Sequence, residues 1–215
     1  SSDMTRMSVV TDDGEPLSEE LTFAIIADYL LRSGRLQPKL VVSNVCSTRA
    51  LDDIASMYAG EVRRTGTGQA NIIDDMRESG APLAGEGCGS VAFADFHPAY
   101  DGFLMMGLIL EAMAEEGTSI SDLASRVPRY HIQKKKITCP ARRAYSLLHS
   151  LRDRFPDAER TELDGIRFDW GEGWVHFRVS NTEPAIRVIL EWKQDPGALE
   201  RATAVLAEVE GAIRT

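Results

Sequence analysis

The chain has 215 residues, a net charge of -9 and a pI near 5.0, with 43% hydrophobic and 27% charged residues. That length allows one large or two small cores, and the acidic balance argues against a nucleic-acid or acidic-membrane partner. No run approaches the roughly 18 to 20 apolar residues of a membrane helix, and no signal peptide is expected at its start.

In chain order, Ser1 to Leu36 reads as a hairpin-like start turning at Asp13-Gly14, then a helix over Ser18 to Arg32 that Gly34 ends. Its stripe of Leu21, Ile25, Ile26, Tyr29 and Leu30 needs a partner surface, expected from a missing part of the domain to which this piece belongs. Residues 37 to 128 alternate strand and helix. Strands are expected at Leu40 to Val45 and Glu61 to Arg64, and helices at Thr48 to Tyr58, Gln69 to Ser79 and Gly102 to Glu116. This pattern predicts an α/β domain with a mostly parallel mixed sheet. Ser43 and Ser47 read as caps of the first of these helices.

Residues 129 to 215 predict an α+β domain with an antiparallel sheet covered by two helices. Its strands are expected at His131 to Thr138, Arg160 to Leu163, Ile166 to Trp170, Trp174 to Val179 and Ala185 to Trp192. Helices are expected over Pro140 to Phe155 and Pro196 to Arg214. The triplet Lys134-Lys135-Lys136 fits an exposed edge strand.

Chemistry concentrates in the loop Arg178-Val-Ser-Asn-Thr-Glu-Pro184, between two strand-like runs. The Arg178 guanidinium can fork onto two phosphate oxygens, and Ser180, Asn181 and Thr182 add hydroxyl, amide and backbone donors. Taken alone, the heptapeptide fits a Ser/Asn turn with a surface arginine equally well. Arg63-Arg-Thr-Gly-Thr-Gly68 places glycines between a strand and a helix, where backbone N-H groups can approach an anion; Arg64 is a candidate cleft residue and a solvated arginine the alternative. Cys46, Cys88 and Cys139 form no CxxC pair and read as reduced thiols in a cytoplasmic setting. The four histidines show no zinc spacing.

Asp164-Gly-Ile-Arg-Phe-Asp-Trp, Gly173-Trp-Val and the Arg178 loop with Arg187 and Glu191 together resemble the final domain of the α-D-phosphohexomutases, the phosphomannomutase and phosphoglucomutase enzymes. The resemblance gives Arg178, Ser180, Asn181 and Thr182 the role of holding the substrate's phosphate. Gly85-Glu-Gly-Cys-Gly-Ser-Val-Ala-Phe resembles the family's sugar-recognition loop, G-E-x-S-G-H, with Cys88 in place of serine and Ser90 in place of histidine. Glu86 could accept from two adjacent sugar hydroxyls at once. Ser1-Ser-Asp-Met-Thr-Arg6 resembles the magnesium loop D-x-D-G-D-R, but only Asp3 and Arg6 match it, and Met4 replaces its glycine. The resemblance therefore implies Mg2+, with Asp3 as the one carboxylate left to bind it and Arg6 beside the cleft.

It further implies that 1–36 is the end of a second domain, 37–128 a third and 129–215 a fourth. The phosphoserine that would interconvert hexose 1-phosphate and hexose 6-phosphate then lies outside this chain, in missing N-terminal domains. Two readings stay open: the C-terminal part of an active mutase, or a noncatalytic hexose-phosphate-binding module, fused for example to a sugar nucleotidyltransferase.

Overall fold

The computed structural model describes residues 1–180, 183–194 and 196–214, so Asn181 and Thr182 lie outside the described residues. The chain divides into two compact units, Ser1–Pro128 and Arg129–Thr215.

The first unit contains α1 (Glu19–Arg32), β1 (Leu40–Asn44), α2 (Ala50–Met57), β2 (Glu61–Thr65), α3 (Gln69–Ser79), β3 (Leu83–Glu86), β4 (Ser90–Phe93), α4 (Gly102–Glu116) and α5 (Ile120–Arg126). Its sheet has the order β2-β1-β3-β4, with β1 parallel to both β2 and β3 and β4 antiparallel to β3. The apolar runs that make β1 and β3 are buried at Val41, Val42, Leu83 and Ala84, as befits parallel strands covered on both faces. Ile72, Ile73 and Met76 of α3 close over Val42, Ala84 and Ala92. Asp101 starts α4 by accepting from the backbone N-H groups of Phe103 (2.8 Å) and Leu104 (3.0 Å), and Gly117 ends it in the left-handed conformation.

Helix α1 does not wait for a missing partner. Ile25, Ile26, Tyr29 and Leu30 are all 2% exposed or less within this unit. Arg35, three residues past its end, pairs with Glu111 at 2.6 Å, Arg32 pairs with Glu116, and the Tyr29 hydroxyl donates to Glu115 at 2.8 Å, tying α1 to α4. The piece expected to end at Leu36 is thus continuous with the α/β unit, because its apolar stripe meets that unit's own helices. The hairpin-like start is present as a bridge between Val10 and Pro16, with Gly14 at φ 83 in its turn.

The second unit contains β5 (Tyr130–Thr138), α6 (Ala141–Leu151), β6 (Glu159–Thr161), β7 (Ile166–Asp169), β8 (Gly173–Val179), β9 (Ala185–Lys193) and α7 (Pro196–Arg214). The sheet order is β5-β9-β8-β7-β6 and every neighbouring pair is antiparallel. One face presents Phe168, Val175, Phe177, Val188, Leu190 and Trp192 to α6 and α7. Burying aromatic side chains as completely as Phe168, Phe177 and Trp192 is worth roughly 2 to 3 kcal/mol each. That packing holds β8 and β9, whose ends carry the candidate Arg178 loop. Among the described residues no helix is long and apolar enough to cross a membrane.

Candidate functional site

In the first unit the loops at the carboxyl ends of β1, β2 and β3 converge on Glu86. In an open α/β sheet this is the end where ligands bind. Glu86 Oε1 accepts from Asn44 Nδ2 at 2.7 Å and from the Gly68 backbone N-H at 3.0 Å, so two neighbouring strand ends fix one carboxylate oxygen. Asn44 Oδ1 accepts from the Cys46 N-H (2.8 Å) and the Ser47 hydroxyl (3.0 Å), while Ser47 Oγ accepts from the Gly87 N-H (3.0 Å). Ser47 therefore ties the turn to the sugar-loop strand, and Ser43 donates to the Gly85 carbonyl at 2.9 Å. Neither caps the helix as expected: α2 has Arg49 at its N-cap with no side-chain cap bond, and the Thr48 hydroxyl one residue earlier accepts from the Ala50 N-H at 3.1 Å.

The other Glu86 oxygen faces Cys88 Sγ at 3.8 Å, and that thiol lies 3.5 Å from Ser90 Oγ. Burial is the main cause that pushes the Cys88 thiol up, so it stays protonated and is a weak nucleophile. Tyr100 and Glu20 complete the cluster, and the motifs in the sequence pointed to neither. The Tyr100 residue is 8% exposed and its buried hydroxyl has no hydrogen-bond partner among the described residues; burial and then the charge of Glu86 raise its pKa. Glu20, 5% exposed on α1, accepts from the Thr48 N-H at 3.0 Å. Its carboxylate lies where a side chain on Gly87 would begin, 1.9 Å from that Cβ position, so the loop requires glycine there.

Arg64 is committed to local structure. Its guanidinium donates to the carbonyls of Asn44 (3.0 Å), Ser47 (3.1 Å) and Thr48 (3.0 Å) and pairs with Asp52. It closes the β1–α2 loop instead of reaching outward, and the Gly68 N-H expected to meet an anion is taken by Glu86. Arg6 is exposed and close enough for its charge to act on Cys88.

Asp3 Oδ1 accepts from the Thr5 N-H (3.3 Å) and hydroxyl (2.9 Å). Hydrogen bonds from the Ser1 hydroxyl, then from Thr5, hold its carboxyl down to about 2. Among the described residues no group of three or more His, Cys, Asp or Glu could hold a metal. Magnesium needs several hard, preferably anionic oxygens, and one carboxylate already occupied by Thr5 does not fit that demand.

In the second unit Arg178 stands near the end of β8, with Ser180 one residue past the strand. Arg178 has one described partner, Asp164, at a loose 3.8 Å, and its side chain keeps 23% exposure. Ser180 is 8% exposed, and its N-H donates to the Ala185 carbonyl at 2.8 Å, closing the hairpin. Behind the loop, the Nε2-H of buried His176 donates to the Asp164 carbonyl; burial lowers its pKa to about 4, so it is neutral. A Cβ on Gly165, φ 83, would lie 2.1 Å from the Phe177 carbonyl oxygen, so only glycine lets this turn approach β8. A groove of about 400 Å³ lies between α6 and this turn, with Arg152 and Glu162 paired at 2.6 Å in its wall, but no candidate residue lines it.

Residues 18–130, more than half of the chain, match the model of the phosphoglucomutase/phosphomannomutase α/β/α domain III. The chain is 33% identical over 202 residues to a probable phosphoglucosamine mutase of Thermococcus kodakarensis, covering 92% of this chain and 44% of that protein. It is 28% identical to a phosphoglucomutase/phosphomannomutase of the same organism, covering 99% and 46%. The structure superposes on that of a phosphoglucomutase/phosphomannomutase family protein from Burkholderia thailandensis with TM-score 0.80 at 25% identity, covering 99% of this chain and 45% of that one. It shares its fold with an Aspergillus fumigatus N-acetylphosphoglucosamine mutase solved with GlcNAc-6P and magnesium, TM-score 0.65 at 15% identity, covering 99% and 51%. The chain spans about half the length of the curated relatives it matches. Domain-model match, relatives and fold agree that it belongs to the phosphoglucomutase/phosphomannomutase family, within the α-D-phosphohexomutases.

Proposed function

We propose that this chain is the sugar-phosphate-binding C-terminal part of a phosphohexomutase, which interconverts hexose 1-phosphate and hexose 6-phosphate through a phosphoserine outside these residues. The observation that carries the reading is Glu86: one carboxylate oxygen is fixed by Asn44 and Gly68, while the other faces a protonated thiol 3.8 Å away, with Tyr100 beside the carboxylate. A carboxylate oriented in this way accepts from sugar hydroxyls without having to reorganise. Arg178, loosely held by Asp164, together with Ser180, Asn181 and Thr182, takes the phosphate. Several relatives are named phosphoglucosamine mutases, so glucosamine 6-phosphate is the ligand to titrate first.

The N-terminal loop favours a second reading, a noncatalytic hexose-phosphate-binding module. Asp3 is engaged by Thr5, and among the described residues no group of three or more His, Cys, Asp or Glu gathers around it, so the loop is a poor fit for the cation that would offset charge in a transferring phosphoryl group. Both readings require binding, and Glu86→Gln tests it. In calorimetric titrations the substitution should weaken glucosamine 6-phosphate about tenfold, the scale of one charge-assisted hydrogen bond, and leave inorganic phosphate unchanged. Equal affinities of wild type and variant for the sugar phosphate would remove Glu86 from the site.

A further inference from the structure

The backbone leaves Tyr100 little choice of place. The Asp101 N-H donates to the Val91 carbonyl at 3.1 Å and the Asp101 carboxylate caps α4, so residue 100 is pinned against β4. That strand pairs with β3 and sets Ser90 opposite Glu86. The Tyr100 side chain packs in one core cluster with Val42, Ile72, Met76, Ala84 and Ala92. Its hydroxyl oxygen is buried and has no hydrogen-bond partner among the described residues, and after burial itself the charge of Glu86 acts on it most, so the phenol end lies beside that carboxylate. Tyr58 shows the ordinary arrangement, with its hydroxyl donating to Asp28 at 2.8 Å. A buried hydroxyl without a partner destabilises a fold, and phenylalanine would fill the same space without that penalty.

The unmet capacity next to this hydroxyl is on Glu86. An ionised carboxylate offers about four lone-pair sites. Asn44 and the Gly68 N-H take two of them on Oε1, while Oε2 faces only a weak donor, the Cys88 thiol at 3.8 Å, apart from the phenol. A sugar laid over the carboxylate takes it out of solvent, and a buried charge then needs its remaining sites met. A donor already inside the core, on a ring that packing keeps from turning away, meets that need with little further loss of freedom.

We propose that Tyr100 is a positioning residue of the sugar site, whose hydroxyl donates to the Glu86 carboxylate when a hexose hydroxyl is bound there and so fixes the orientation in which Glu86 reads the sugar. The inference rests on the assignment of Glu86 to sugar hydroxyls made above. It gives the hydroxyl opposite effects on stability and affinity: it weakens the fold without ligand and strengthens the complex.

Tyr100→Phe deletes the hydroxyl and keeps the ring. Calorimetric titrations of the 215-residue chain with glucosamine 6-phosphate and with inorganic phosphate, together with urea unfolding without ligand, read its effects. The substitution should weaken glucosamine 6-phosphate about tenfold, the scale of one hydrogen bond to a charged group, leave inorganic phosphate unchanged and move the urea midpoint upward. Tyr58→Phe, which deletes a bonded hydroxyl, should lower the midpoint and leave both ligands unchanged. In a double-mutant cycle Tyr100→Phe should add no further loss of sugar-phosphate affinity to Glu86→Ala, because it acts through that carboxylate. Unchanged binding in Tyr100→Phe beside weakened binding in Glu86→Ala removes the role of Tyr100 and leaves the Glu86 reading standing; unchanged binding in Glu86→Ala removes that reading and the inference with it. A lowered urea midpoint in Tyr100→Phe, or additive losses in the double variant, also overturns the inference: the hydroxyl would then be bonded without ligand in the first case, and act apart from Glu86 in the second.

Discussion

Met4 occupies φ 58, a left-handed conformation natural to glycine and costly for a side chain, at the place where the metal loop of the family carries glycine. The Met4 carbonyl is anchored by the Gly102 N-H at 2.7 Å, so the backbone keeps the turn although the residue that eases it is gone. Met4→Gly should therefore stabilise the chain by about 1 kcal/mol, the left-handed penalty less the entropy glycine loses on folding; a shift of the urea midpoint to higher concentration checks this. His176 gives a pH signature. Its folded pKa, about 4, lies below the ordinary value of 6.5, so unfolding takes up a proton between those values. Its contribution to stability is complete above pH 6.5 and is lost as pH falls toward 4, by about 3 kcal/mol in total. Urea unfolding between pH 4 and 7 should show that slope in the wild type and a flatter one in His176→Gln.

At the scale of elements, the sequence fixes most boundaries where side-chain chemistry is strong and local. The helices at Gln69–Ser79 and Gly102–Glu116 begin and end as expected, because Gly80, Asp101 and Gly117 are unambiguous signals. Strands β3 and β4 carry little strand signal of their own, since Leu83-Ala-Gly85 and Ser90-Val-Ala-Phe93 are short and broken or preceded by glycine, and it is the pairing of β3 with β1 and of β4 with β3 that makes them strands. Helix α5 was not expected either: it has seven residues, and its Ser119 capping box uses Asp122 in place of glutamate. In the site, Glu86 was legible from its motif, but its support was not. Asn44 and Glu20 lie 42 and 28 residues from the groups they bond, a distance no local pattern spans. Two substitutions probe this scale. Asp101→Ala should cost about 1 kcal/mol by uncapping α4. Gly165→Ala should cost about 3 kcal/mol or more, because its Cβ would have to displace the Phe177 carbonyl. Chemical denaturation measures both.

The whole molecule consists of two units with separate cores, one α/β and one antiparallel α+β, and it spans about half of its curated relatives. Its acidic charge would set the proposed anion-binding loop apart from the rest of the surface, since a phosphate ester meets a net charge of -9 away from local clusters of cations. Function on this account rests on a guanidinium that its own fold holds only loosely. The most direct measurement is the thermal stability of the 215-residue chain as glucosamine 6-phosphate is added. The wild type should gain stability with ligand concentration, by about 2.7 kcal/mol at a hundred times the dissociation constant, and Arg178→Ala should gain little or none over the same range. A wild type whose melting temperature does not move, or a variant that responds equally, contradicts the account.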